Sequence, residues 1–261
     1  MNNVNKTLYI LLYGKAYVSK RGLFLNDPLA EAIWEKEGFP LKGKAKSKWL
    51  AFYMGIRSGV FDEWTKDRAA QMPNATVLHV GCGMDSRASR LSELENLWFD
   101  IDFPEVIEER KKYFEESGRY KMICGDARKP DFLSEIPDAN EAIVVMEGVS
   151  MYLSPEETVS LLSALSEKFG KIALLMDCYS RFAAKISRIR NPINQVGVFT
   201  VYGVDDGKAL EGGEFKLSGE LEMTPSKYLN QLEGLERAIF KRYYAGGLSK
   251  KLYRLYEYKK S

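Results

Sequence analysis

The sequence predicts an α/β fold, a mostly parallel seven-stranded sheet with helices on both faces, a C-terminal antiparallel strand and an N-terminal helical cap. Three observations predict it. From residue 75 onward, short apolar runs alternate with helix-capable segments, the pattern of a parallel sheet with crossover helices. The first of these runs, 75–80, ends in Gly81-Cys82-Gly83 and passes into a polar, helix-capable stretch, a strand, glycine turn and helix in succession. The last two runs, 215–221 and 251–258, alternate in character as antiparallel strands do.

Residues 1–72 read as the helical cap, with Gly22, Gly38, Pro40 and Gly43 as breakers. Asn26-Asp27-Pro28 reads as a helix start, with Pro28 in the first turn and Ala30, Ile33 and Trp34 on an apolar face. A second helix is predicted over 46–70, with Trp49, Phe52, Tyr53, Ile56, Val60, Phe61 and Trp64 at helical spacing. Arg57 lies on that helix, and a cation beside such a stripe requires a partner. Residues 73–261 form the core. Strands are predicted at 75–80, 97–101, 120–124, 141–146 and 171–176, and helices at 85–95, 104–117 and 155–169. The last has Ser154 as cap, Pro155 in its first turn, Glu157 completing a capping box and Gly170 as stop. Residues 178–213 are too long for a simple connection and read as an insertion over the sheet edge. Thr224-Pro225 begins another helix between the two final strands.

Composition narrows the class. The 261 residues are 45% hydrophobic and 28% charged, as in globular chains. The net charge of +2 gives no global field for nucleic acid or membrane. Cys82, Cys124 and Cys178 lack metal-type spacing and lie in or beside apolar runs, which predicts buried free thiols in a reducing compartment. The apolar run at 8–13 is too short for a signal peptide or a membrane span. A cytoplasmic protein is expected, with a small-molecule partner rather than nucleic acid or membrane.

The glycine loop carries the chemistry. Gly81 and Gly83 allow a sharp turn and close approach of a ligand to the backbone. A dinucleotide fingerprint needs a third glycine or alanine three residues after the second, and that position is Ser86. Asp85 sits at the predicted helix start, where a carboxylate repels a diphosphate. The loop therefore suits a ligand without phosphate and with a positive group, a description that S-adenosylmethionine (SAM) fits. Asp102 lies 19 positions after Gly83 and can accept from both ribose hydroxyls. It can equally cap the helix that Pro104 opens, and Asp100 competes for the ribose role from the same strand face. After the third strand, Asp126 can accept from an adenine amino group and the Ala127 N–H can meet a ring nitrogen; a turn aspartate is the alternative. Glu147 ends the fourth strand and can hold the amino group of a methionine moiety, with Arg57 on its carboxylate. His79, the only histidine, sits within an apolar run and reads as a hydrogen-bonded core residue. With no second histidine and no Cys/His cluster, neither a zinc site nor a Ser-His-Asp hydrolase is expected, and no G-x-S-x-G occurs.

In these motifs the chain resembles the leucine carboxyl methyltransferase family, which includes bacterial O-methyltransferases related to polyketide-tailoring enzymes. The resemblance rests on Val-Gly-Cys-Gly-Met-Asp-Ser-Arg (80–87), Phe-Asp-Ile-Asp-Phe-Pro-Glu-Val-Ile (99–107), Gly-Asp-Ala-Arg (125–128) and Glu-Gly-Val-Ser-Met-Tyr-Leu-Ser-Pro-Glu-Glu (147–157), with Asn26-Asp27-Pro28 and Arg57 as N-terminal features. Together they cover most of 20–160. The resemblance implies a Rossmann-like SAM-dependent methyltransferase sheet under N-terminal helices, SAM as cofactor and S-adenosylhomocysteine (SAH) as product. It implies that Arg57, Gly81, Asp102, Asp126 and Glu147 hold the cofactor, and it aligns Lys15 with a lysine on the cofactor carboxylate. The segment 178–261 matches loosely and is expected to govern substrate choice.

The implied reaction is direct displacement by an acceptor oxygen. A carboxylate acceptor needs no general base, being already ionised at neutral pH, whereas a phenol or alcohol does. Tyr152 is placed to line the reacting centre, where its ring favours a sulfonium; packing in the turn is its alternative role. Arg181, Lys185 and Arg188 share one possible helix face in a stretch, 179–204, that contains no acid. Such a face is either solvated or, with Arg190, attracts an anionic acceptor. A methyltransferase acting on a protein or peptide C-terminus, a nucleic-acid methyltransferase, an NAD-type oxidoreductase and a ligand-sensing module are the competing readings. Ser86 and Asp85 count against the NAD reading.

Overall fold

Each strand presents alternate residues to opposite faces, and this alternation builds two apolar layers on one sheet. On one face Val77, Ile143, Val145, Ala173 and Leu175 pack against Phe52, Ile56, Val60 and Phe61. On the other, Leu78, Val80, Val144 and Leu174 pack against Leu161, Leu162 and Leu165. The structure is a computed structural model that describes residues 8–39, 41, 43–187, 201–212 and 214–260. Pro40, Arg188 and Arg190, and part of the 178–213 segment, lie outside the described residues.

Three helices come first: α1 (Leu8–Lys20), α2 (Pro28–Glu37) and α3 (Lys48–Gln71). Asp27 caps α2 by accepting from the Ala30 N–H at 3.0 Å, and Gly38 ends it in the left-handed region, as the sequence predicts. Then follow β1 (Thr76–Val80), α4 (Arg87–Arg90), β2 (Trp98–Asp102), α5 (Pro104–Arg110), β3 (Tyr120–Cys124), β4 (Glu141–Met146), α6 (Pro155–Lys168), β5 (Lys171–Tyr179), α7 (Arg181–Ser187), β6 (Lys216–Leu221), α8 (Ser226–Leu229), α9 (Gly234–Tyr243), α10 (Gly247–Leu252) and β7 (Tyr253–Lys260). The strand order is β3-β2-β1-β4-β5-β7-β6. The first five strands pair in parallel. β7 pairs antiparallel with both β5 and β6. The chain runs outward from β1 to β3 and returns to β4, so β1 and β4 flank the switch point where α/β sheets bind ligands.

Several predicted bounds need correction. The helix expected at 85–95 is only α4, because Asp85, Ser86 and Arg87 are drawn inward by buried polar contacts. The helix expected at 104–117 stops at Arg110, whose guanidinium turns into the core onto Asp100 and the carbonyls of Gly83 and Asp85. β2 extends through Asp102, and β5 continues to Tyr179, so the insertion begins later than residue 178. The helix predicted after Thr224-Pro225 is three short ones, α8 to α10. Cys82 and Cys178 are buried, but Cys124 is exposed, because β3 is an edge strand. The capping box of α6 forms as predicted, with Ser154 and Glu157 exchanging hydrogen bonds. Among the described residues, no helix is long and apolar enough to cross a membrane.

Candidate active site

A cavity of about 160 Å³, partly open to solvent, lies at the carboxyl ends of β1, β2 and β4. Its floor is the loop after β1. Gly81 has φ +69°, and a Cβ there would overlap Cγ2 of Val149, so only glycine fits. Asp102 lines the cavity beside this loop. Its two oxygens accept from the Gly83 N–H (2.7 Å) and the Phe103 N–H (2.8 Å). Burial nevertheless raises its pKa to about 6, the two N–H groups only partly opposing this. Asp100, the competitor from the same strand, is fully buried. It accepts from Arg110, Tyr120, Trp98 and His79 and is not part of the cavity wall.

Asp126, Ala127 and Arg128 form one end of the cavity, with Phe103 and Ile101. Tyr152, Val149 and Leu153 line another part, and Leu8 and Leu11 of α1 contribute an apolar wall. Sequence reasoning assigned no role to Leu8, Leu11, Phe103, Gly148, Val149 or Arg128. The motif residues Gly148, Val149 and Arg128 carried a signal by position; the α1 leucines did not.

Glu147, which lines the cavity, belongs to a buried array of charges that extends beneath it. Arg57 is 1% exposed and finds the partners its place on α3 requires: its Nε donates to Glu147 Oε1 at 3.0 Å and its Nη1 to Asp177 Oδ2 at 2.7 Å. Burial lowers its pKa, but Asp177 and Glu147 more than reverse this, so it stays charged. Glu147 also accepts from Ser58 and Arg87. Burial pushes its carboxyl up, yet Lys15, Arg87 and Arg57 together hold it well below the usual range. Asp177 accepts from the Gly148 N–H at 2.6 Å, and burial raises its pKa despite Arg57. Asp177 was missed by sequence reasoning, although a lone acid within the apolar run of β5 was a readable signal. The array continues through Arg87 and Arg90 on Asp62 (2.7 and 2.8 Å), Arg90 on Asp27 (2.6 Å) and Lys15 on Asp85 (2.5 Å).

One donor of this array has no acceptor. The Nη2 of Arg57 is buried and has no hydrogen-bond partner among the described residues. A Cβ on Gly148, which has φ +75°, would stand 3.2 Å from it. Gly148 lines the cavity, and its lack of a Cβ leaves room above the unsatisfied donor. His79, as expected, is a core residue: its Nδ1 lies 3.1 Å from Asp100 and its Nε2 3.1 Å from Arg87. Arg181 and Lys185 are exposed on α7 and do not line the cavity. α7 instead turns Ala183 and Ala184 inward, into a cluster against which Tyr152 packs. No group of acids, cysteines and histidine among the described residues has the arrangement of a metal site.

Comparison with known proteins gives a consistent picture. The family described as leucine carboxyl methyltransferase matches residues 12–166. The tetracenomycin polyketide synthesis O-methyltransferase of Streptomyces glaucescens is 26% identical over 213 residues, covering 81% of this chain and 79% of that protein. An S-adenosyl-L-methionine-dependent methyltransferase of Gibberella zeae is 24% identical, covering 81% and 78%. Among solved structures, magnesium protoporphyrin IX methyltransferase from Synechocystis PCC 6803 with bound SAH superposes with a TM-score of 0.52 at 13% identity, over 90% of this chain and 95% of that one. The likeness in fold extends across the sheet.

Proposed function

Since the chain belongs to the leucine carboxyl methyltransferase family and is a SAM-dependent methyltransferase, we propose that it methylates an oxygen of a small-molecule acceptor, and that this oxygen is a carboxylate. The observation that carries the carboxylate is the state of His79. The chain's only histidine is buried, its ring nitrogens face Asp100 and Arg87, and burial lowers its pKa. It is not placed to take a proton from an acceptor. Burial also pushes the hydroxyls of Tyr53 and Tyr253 far above neutral, so neither serves as a base at pH 7. An acceptor that arrives ionised needs none. The O-methyltransferase of Streptomyces glaucescens supports oxygen as the acceptor atom.

The residues present fit the cofactor. The unpartnered Arg57 Nη2 beneath Gly148 offers a charged donor to the carboxylate of the methionine moiety. Asp102 offers acceptors to the ribose hydroxyls, and Asp126 with the Ala127 N–H faces the adenine end. Gly81 and Gly83 give the backbone room to approach. Glu147 lines the cavity and keeps Arg57 charged and oriented, with its carboxylate turned to Arg57, Arg87 and Ser58; in this reading it holds the amino group only by giving up part of that set. SAM supplies a methyl group on a sulfonium, ready for displacement. The chain's own part is to fix both reactants, to keep water off the acceptor oxygen with Leu8, Leu11, Val149 and Leu153, and to set the Tyr152 ring beside the cation.

Product chemistry tests the proposal. The pure protein is incubated with methyl-labelled SAM and a cell extract, and labelled products are treated with mild base. A methyl ester releases labelled methanol. Base-stable label on a small molecule refutes the carboxylate, and label on polypeptide moves the acceptor to a protein C-terminus.

A further inference from the structure

The adenine end of the cavity holds a charged pair whose geometry exceeds that of an ordinary surface contact. The guanidinium of Arg128 grips the carboxylate of Asp126 two residues earlier. Its Nε lies 2.9 Å from Oδ1 and 3.0 Å from Oδ2, its Nη2 lies 2.6 Å from Oδ2, and the Arg128 backbone N–H donates to Oδ1 at 2.9 Å. Isolated exposed ion pairs contribute little, but a forked arginine on a carboxylate is the case in which geometry makes the difference. The same guanidinium stands 5.6 Å from the centre of the Phe103 ring. Asp126, Arg128 and Phe103 all line the cavity.

The count of donors gives the pair its meaning. An ionised carboxylate has about four lone-pair sites. Nε is shared between both oxygens, so three N–H groups (backbone, Nε and Nη2) occupy about three of them. About one site remains. Arg128 also holds the carboxyl below its ordinary pKa, against the rise that burial causes. An ionised carboxylate held in one orientation with one open site accepts a hydrogen bond and cannot donate one.

Resting on the reading of this cavity as the cofactor site, we propose that Arg128 is a positioning residue for base recognition: by fixing Asp126 as an oriented pure acceptor beside Phe103, it makes the cavity select a 6-amino purine over a 6-oxo purine. Adenine brings a donor to the open site. Hypoxanthine brings a carbonyl oxygen there, so two acceptors face each other. The three N–H groups of Arg128 on both oxygens limit the rotation by which the carboxylate would escape that clash.

Calorimetric titration of the full-length protein with SAH and with S-inosylhomocysteine tests this. Wild type is expected to bind SAH more tightly by on the order of tenfold or more, the range for one charge-assisted hydrogen bond. In Arg128→Ala this ratio falls to about one third or less of its wild-type value, chiefly through weaker SAH binding, while the melting temperature without ligand stays near wild type. Arg128→Lys keeps the charge without the fork and restores part of the ratio. An unchanged ratio in Arg128→Ala overturns the proposal, because the pair is then surface decoration. Tighter SAH binding in Arg128→Ala also overturns it, because arginine is then a competitor of the base. A wild type that binds SAH and S-inosylhomocysteine equally overturns it as well. Binding of neither by wild type refutes the cofactor reading itself.

Discussion

Asp102 couples cofactor affinity to pH. Its carboxyl titrates near pH 6 because burial outweighs the two N–H groups that it accepts from. Ribose hydroxyls donate to the ionised form, so binding lowers this pKa and expels the proton. Affinity for SAH is therefore full above pH 6 and lost as pH falls through it. With a pKa of about 6 in the free protein, about one molecule in eleven is ionised at pH 5, so affinity drops about tenfold between pH 7 and pH 5, or about 1.4 kcal/mol. The stability of the free protein moves the other way for this group. Holding the charge in a site with a pKa of about 6, against an ordinary value near 4, costs about 3 kcal/mol at pH 7, and the cost disappears as pH falls toward 4. Asp102→Asn removes that cost but leaves one of the two N–H groups without an acceptor, at roughly 1–3 kcal/mol. The two changes nearly offset, so the variant is expected to fold. Its SAH affinity should be weaker by roughly 1.5–3 kcal/mol at pH 7 and flat with pH. Calorimetry from pH 5 to 8 on both proteins checks this. A flat wild-type profile, or a slope that survives in Asp102→Asn, refutes the reasoning.

Gly81→Ala adds a methyl that overlaps Val149 at a positive φ, and is expected to cost about 1–3 kcal/mol of stability; an unchanged urea midpoint contradicts this. Arg57→Met leaves Glu147 and Asp177 without a shared cation and should cost roughly 3–5 kcal/mol by denaturant unfolding. Arg57→Lys keeps the charge but not the fork, so it should unfold later than Arg57→Met and bind SAH more weakly than wild type. Arg181→Glu and Lys185→Glu, exposed and away from the cavity wall, should leave SAH affinity within about twofold of wild type, since exposed charges are well screened; a larger loss would place α7 against the cofactor.

Much of the fold was legible because its signals are local. Apolar runs of strand length, the Gly81-Cys82-Gly83 turn and the Ser154/Glu157 box each act over a few residues, and the structure places strands or caps there. Helix lengths failed where long-range contacts decide them. Arg110 ends α5 by reaching Asp100, ten residues back and on another element, and no local pattern announces that. Cys124 looked buried because its run is apolar, but burial of a strand depends on its place in the sheet, and β3 lies at the edge. At the site, Asp102, Asp126, Ala127 and Tyr152 line the cavity that their positions after strands suggested. Leu8 and Leu11 could not be read there, since only packing of α1 over the loop brings them to the wall. The choice between Asp100 and Asp102 likewise needed three dimensions: two aspartates on one strand face, two residues apart, differ completely in what surrounds them.

The buried charge array also bears on how such a chain can change. Lys15, Asp27, Arg57 and Asp62 come from the N-terminal helices or the turn before α2, and their partners Asp85, Arg87, Arg90, Glu147 and Asp177 come from the sheet and its loops. Replacing any one member strands an opposite charge away from water, at a cost comparable to much of a protein's net stability. Drift by single neutral steps is therefore blocked across this interface. Sequences that keep the architecture must either retain these ions or exchange them in compensating sets, while the apolar part of the cavity wall, Leu8, Leu11, Val149 and Leu153, is under no such constraint and can vary one residue at a time. The arrangement separates a part of the molecule that is locked from a part that can be retuned to a new acceptor.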